Sequence, residues 1–343
     1  DEFKSLYLTA LASFLIVTFS FIIPLSVDID NQIASNNDSK INNSKADFEK
    51  VLSGESIDDK EKVDEGLDLS NILEDVFKFD ELPDDTVRLS ASTIEQLFKD
   101  TNYSLSEVRR TKKVKPIRLS LLPNEMKSIE SSDKRKSLFI KIILPLVLEE
   151  NNRIIIDRKK LFSILNKNKN SKDEIKWLNQ KFKQYGVLNK DLATLKVRMD
   201  IIPTSLAIAQ AAKETGWGTS RFAIEGNALF GQWTWSGEGI KPAGADTDAT
   251  YKVMKFNVLK ASVRAYQRNL NTHSSYKKFR FVRAQLRDDN KELDSLKLAD
   301  YLENYAQTGT EYTKVLKQII QQDQLKDFDE VKLLPLSVKY KNI

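Results

Sequence analysis

A run of 22 residues from Leu6 to Val27 carries no charge, and it sets the first limit on how this chain can fold. About 20 consecutive apolar residues are enough to cross a bilayer. The run ends in Ile22-Ile23-Pro24-Leu25-Ser26-Val27, without the small residues that mark a signal-peptide cleavage site. The preferred reading is an uncleaved transmembrane anchor over 1–27, with the folded part C-terminal to it.

Charge divides the rest of the chain. Residues 28–100 hold 20 acidic and 8 basic residues, a net of −12, although the whole chain carries +5. From 28 to about 70 the sequence is polar and low in complexity, as in Asn36-Asn37-Asp38-Ser39-Lys40. Such a segment has too little apolar surface to offset the entropy of ordering it. Residues 28–113 are therefore read as an acidic, largely disordered stalk, and 114–343 as the folded body. That body is basic, which suits a polyanionic partner: nucleic acid, or a cell wall rich in peptide carboxylates. The chain has no cysteine, which excludes disulfides, thiolate metal sites and a Cys nucleophile. Its one histidine, His273, argues against a histidine zinc site and is read as structural. No metal and no cofactor are expected.

Only 11 glycines and 8 prolines occur in 343 residues, which favours helices over a turn-rich β fold. Leu138, Phe139, Ile142, Ile143, Leu146 and Val147 recur at helical spacing within 134–150, and Pro145 predicts a kink or a break there. Further helices are predicted over 154–165, 173–185, 201–215, 258–271, 296–305 and 311–324. Ser220 can cap a short helix ending at Gly226. Residues 227–257 differ. They hold glycines, aromatics and the alternating run Tyr251-Lys252-Val253-Met254-Lys255-Phe256, and predict a small β-hairpin lobe.

The chemistry concentrates in residues 201–233. Glu214 ends a strongly apolar helix (Leu206, Ala207, Ile208, Ala209, Ala211, Ala212), which Gly216 and Gly218 terminate. The negative end of a helix disfavours a carboxylate. Burial against Trp217 or Phe230 disfavours it further. A carboxylic acid that stays protonated near neutral pH can donate to a glycosidic oxygen. By these arguments alone, Glu214 could equally be a surface residue at a helix end. Trp217, Phe230, Trp233 and Trp235 cluster near it in sequence. Trp217 is assigned to the core, and Phe230, Trp233 and Trp235 to a cleft that could pack on sugar rings. Gln210 and Asn227 are candidates to hydrogen-bond an N-acetyl group.

The run Leu206 to Gly218, followed by Asn227-Ala228-Leu229-Phe230-Gly231, resembles the bacterial glucosaminidases that cleave peptidoglycan. Gly218 to Trp233, Val263-Arg264-Ala265-Tyr266, Asn269-Leu270-Asn271-Thr272-His273 and Arg283-Ala284-Gln285-Leu286-Arg287 narrow the resemblance to the Bax-type proteins of Gram-negative bacteria. It spans about 115–325 and not the stalk. It implies a mainly α, lysozyme-like α+β fold, with a cleft between a helical body and a β-lobe. It also implies an endo-β-N-acetylglucosaminidase with Glu214 as the catalytic acid. The implied partners are peptidoglycan strands and, through the anchor, the inner membrane; the implied location is the periplasm, with no nucleic acid and a monomeric chain. Tyr305 to Tyr312 resembles a family segment that makes Tyr305 a catalytic cleft residue able to position a water or a carbonyl, and places Tyr312 on the next helix as a substrate contact. Related enzymes use a second carboxylate on the β-lobe, where this sequence departs from their pattern. The candidates are Glu238, Asp246 and Asp248, with Asp248 favoured because it precedes the alternating strand; Glu225 is a further one. Two other functions stay open. A lytic transglycosylase needs only one acid, although here the pair is Glu214-Thr215 rather than Glu-Ser. A tethered wall-binding protein would keep the cleft without the chemistry.

Overall fold

The computed structural model describes residues 69–77, 86–234, 239–242 and 251–335. The predicted anchor, the stalk up to residue 68, Trp235, Glu238, Asp246 and Asp248 lie outside them. Among the described residues no helix is long and apolar enough to cross a membrane. The described residues divide into two compact units, one comprising 160–178 and the other the remainder.

The chain is mainly helical, as expected. In order it forms α1 (Leu69–Phe77), α2 (Ala91–Asp100), α3 (Leu105–Thr111), β1 (Lys113–Val114), a 3-10 turn (Asn124–Ser128), α4 (Ser132–Leu165), α5 (Lys172–Gln184) and α6 (Leu192–Arg198). Then come α7 (Thr204–Thr215), α8 (Arg221–Gly226), β2 (Trp233–Thr234), β3 (Gly239–Ile240), β4 (Lys252–Met254), α9 (Leu259–Thr272), a 3-10 turn (Ser274–Tyr276) and α10 (Lys277–Asp288). Last are α11 (Ser295–Ala299), a 3-10 turn (Glu303–Tyr305), α12 (Thr310–Gln322), a 3-10 turn (Leu325–Phe328) and β5 (Lys332–Leu333).

Three expectations need correction. First, α4 runs unbroken through Pro145 and joins two predicted helices into one of 34 residues. Proline removes one backbone hydrogen bond, but Leu144, Leu146 and Val147 are all buried here, and tertiary packing outweighs the local loss. Second, the C-terminal part of the predicted stalk is folded. Ser90 and Ser104 cap α2 and α3, and Ile94, Phe98, Tyr103 and Val108 are buried in the main core. The Tyr103 hydroxyl donates to the Lys141 carbonyl at 2.9 Å. The net charge of the stretch concealed amphipathic helices whose acids face outward. Third, the helix predicted over 296–305 divides into α11 and the 3-10 turn Glu303–Tyr305.

The main core surrounds α7, ten of whose twelve residues are buried. A helix apolar all round can be stable only when other elements cover every face. Here α12 and the turn Leu325–Phe328 provide much of that cover. The β-lobe is a three-stranded antiparallel sheet ordered β2-β4-β3, with Trp233 opposite Val253 and Ile240 also opposite Val253. A parallel pair, β1 with β5, joins residues 113–114 to 332–333; nothing in the sequence announced it. In the small unit, Ser171 and Glu174 cap each other's backbone N–H at the start of α5, and Lys160 lies over the Trp177 ring.

Candidate active site

The site begins with the way α7 stops. Gly216, Trp217 and Gly218 all have positive φ (+57°, +61° and +82°). The N–H groups of Gly216 and Trp217 both return to the Ala212 carbonyl, and the Thr215 hydroxyl accepts from Gly218 at 2.9 Å. This left-handed turn ends the helix one residue after Glu214. Trp217 packs edge-on against Phe139, with centroids 5.8 Å apart, and lies under Lys136. It belongs to the core side of the turn, as expected.

Glu214 is half-buried. Burial holds its carboxyl above the usual range, and a hydrogen bond from Tyr312 and the charge of Lys213 oppose that shift. Across from it the backbone comes close at Gly231, where an added Cβ would lie 3.2 Å from Glu214 Oε2. Gly231 also has φ +61°, so any side chain there would be strained as well as crowded. Four tyrosines, Tyr266, Tyr276, Tyr305 and Tyr312, feel the charge of Glu214. All are held neutral, chiefly by burial, with Tyr276 pushed up to about 12.

The rings form a connected wall. Tyr305 stacks on Tyr312 at 5.5 Å and tilts against Tyr276 at 5.9 Å. Phe230 stacks on Tyr266 at 3.8 Å with the ring planes 8° apart. Beneath it, the Tyr266 hydroxyl donates to Gln210 Oε1 at 2.7 Å, and Gln210 Nε2 donates to the Tyr312 hydroxyl at 3.1 Å. The Tyr305 hydroxyl donates to the Phe230 carbonyl at 2.8 Å, fixing the loop that presents Gly231 to the acid.

The expected substrate contacts are therefore redistributed. Gln210, Phe230 and Tyr312 gather at Glu214, but all three are buried and support the acid from beneath. Asn227 is buried too. It caps α8 with φ +49°, and its amide donates to the carbonyls of Phe256 and Asn257, so its role is to join α8 to the end of the β-lobe. Trp233 is open to solvent. It meets Tyr251 edge-on, with centroids 5.3 Å apart, and both rings are exposed. Sequence reasoning missed Tyr266, Tyr276, Gly231 and Tyr251. Two of them left a signal: Tyr266, as a hydroxyl-bearing residue on the apolar face of a predicted helix, and Gly231, as the last residue of the motif Asn227–Gly231. Glu225 is exposed and sits 4.0 Å from Arg221. His273 accepts from the Ser275 N–H and caps the short turn after α9, in keeping with a structural role.

A helix-end carboxyl, biased towards its protonated form and walled by aromatics, is the arrangement a glycosidase needs for its acid. Comparison with known proteins gives the family. Residues 189–325 match the family described as mannosyl-glycoprotein endo-beta-N-acetylglucosaminidase. The protein named bax from Escherichia coli (strain K12) is 35% identical over 214 residues, covering 60% of this chain and 75% of the relative. The chain belongs to the Bax-type proteins with a glucosaminidase domain. At the level of the family it is a glycosidase related to peptidoglycan. No solved structure matches the chain significantly.

Proposed function

We propose that this protein hydrolyses the β-1,4 bond on the reducing side of N-acetylglucosamine in peptidoglycan, with Glu214 protonating the leaving oxygen. The observation that carries the proposal is the half-buried Glu214 carboxyl, held above the ordinary carboxylate range by desolvation at the negative end of a buried helix. The exposed pair Trp233 and Tyr251 supplies apolar faces on which sugar rings can pack. Tyr305 holds the Phe230–Gly231 loop against the acid. Water attacks with help from Asp248 or from the substrate's own acetamido group. The body and β-lobe form a lysozyme-like cleft, and Leu6–Val27 anchors a monomeric chain in the inner membrane with this domain in the periplasm.

The test is mass spectrometry of purified sacculi digested by the wild-type chain and by Glu214→Gln. Reducing N-acetylglucosamine ends from the wild type and none from the variant support the proposal. Anhydro-muramic ends would make the enzyme a lytic transglycosylase. Equal digestion by the variant would remove Glu214 from the chemistry.

A further inference from the structure

We propose that Tyr266 and Gln210 form a one-way hydrogen-bond relay that leaves the proton of the Tyr312 hydroxyl free for Glu214, which makes them positioning residues for the acid. The inference rests on the assignment of Glu214 as that acid.

Gln210 precedes Glu214 by four residues on α7, so the two side chains share one face of the helix. It is fully buried, out of reach of any glycan. Its amide bridges two tyrosines from different helices, Tyr266 of α9 and Tyr312 of α12. A tyrosine hydroxyl can donate or accept, an amide has one end of each kind, and an ionised carboxylate only accepts. These rules fix the direction. Once Glu214 is ionised, Tyr312 has to donate to it. The Tyr312 oxygen is then left to accept from Gln210 Nε2, and Gln210 Oε1 to accept from Tyr266. The reverse arrangement would turn a hydroxyl lone pair towards the anion. Stacking on Phe230 holds the Tyr266 ring in place, and stacking on Tyr305 holds that of Tyr312.

The consequence is a donor kept available for the oxygen that becomes negative as the proton leaves. Preorganised donors stabilise developing charge without reorganising at the moment of reaction. The other groups bearing on Glu214 among the described residues are Tyr276 and Tyr305, both held neutral, and Lys213 on its own helix.

The test is the pH dependence of kcat/KM on solubilised glycan strands, for the full-length wild type, Glu214→Gln, Tyr312→Phe, Gln210→Met and Tyr266→Phe. The basic limb reports the acid. Loss of a donor to the carboxylate raises its pKa, so the limb should move to higher pH in Tyr312→Phe and Gln210→Met, by about one unit for a charge-assisted hydrogen bond. Their kcat should fall while KM changes little. Tyr266→Phe removes a single oxygen and should move the limb the same way, which guards against a folding defect in Gln210→Met. A limb that stays in place in both Gln210→Met and Tyr266→Phe, with Glu214→Gln inactive, overturns the relay alone. Undiminished activity in Glu214→Gln overturns the assignment of the acid, and the relay with it.

Discussion

At Glu214 two opposed influences meet: burial favours the neutral acid, and Tyr312 favours the anion. Burial is the larger, so the group can serve as a proton donor at a pH where a surface glutamate has lost its proton. The residues around it divide by exposure. Trp233 is 48% exposed, so its ring lies outside the core, and the proposed function has it pack on substrate. Trp233→Ala should raise KM roughly tenfold with little change in kcat, since an aromatic contact contributes about 1 kcal/mol beyond area burial; steady-state kinetics on soluble glycan fragments would check this. Gly218 makes a structural demand. Its φ is +82° and an added Cβ would meet Phe139 at 2.9 Å. Gly218→Ala should therefore lower the unfolding free energy by about 1–3 kcal/mol in a denaturant titration. Glu214 and the glycines after it were legible in the sequence because helix, acid and terminator lie within a few residues. Of the tyrosine wall, the family resemblance named Tyr305 and Tyr312, but Tyr266 and Tyr276 went unread, because the four come from α9, the turn Glu303–Tyr305, the turn Ser274–Tyr276 and α12.

At the scale of elements, α7 is held at both ends by different means. Its C-terminus is closed locally, by the left-handed turn. Its N-terminus begins after Pro203, which supplies no capping side chain. The cap comes instead from Asp329, which accepts from the Ser205 N–H and hydroxyl, both at 2.8 Å. Burial pushes the Asp329 carboxyl up to about 6. Its folded pKa therefore exceeds the unfolded value of 3.8, and its proton is held more tightly in the folded state. That stabilisation is complete below pH 4 and is lost as pH rises through about 6, at roughly 2–3 kcal/mol. Asp329→Asn cannot titrate, so the difference in Tm between wild type and variant should shift in the variant's favour between pH 4 and pH 7. A difference that does not change with pH would mean that Asp329 keeps an ordinary pKa. Asp329 lies outside the matched family segment 189–325, and no periodicity points to a contact spanning 124 residues.

Across the larger unit, a buried ion network joins segments far apart in sequence. Glu150 is pulled down to about 2 by Arg153 and Arg264 despite its burial. Arg268, 2% exposed, reaches Asp75 of α1 at 3.0 Å. Ile72, Leu73 and Val76 of α1 join Met254, Phe256, Val258, Ala261 and Ala265 in a second apolar cluster. Helix α1 thus packs on the β-lobe and on α9, the helix that carries Tyr266. Asp75→Ala leaves Arg268 buried without its carboxylate and should cost about 3 kcal/mol of stability, measurable by chemical denaturation. Asp75→Asn, which keeps a hydrogen-bond acceptor, should cost less.

Sequence by itself determined what is local: a mainly helical body, a small β-lobe, the helix that ends in Glu214 and the turn that stops it. Periodicity, capping and glycine placement are written within one or two turns of chain, so they can be read there. The tertiary structure decided which side chains surround the acid, which cap holds the far end of its helix, and that residues 86–113 are folded. Those outcomes depend on burial and on hydrogen bonds between residues tens to hundreds of positions apart. Net charge over a window is blind to both, since an acidic stretch folds when its few apolar residues share one face. Gln210 shows the difference most directly. Sequence placed it one turn from the acid, and only the packing of α9 and α12 against α7 turned it from a candidate substrate contact into the support beneath Glu214.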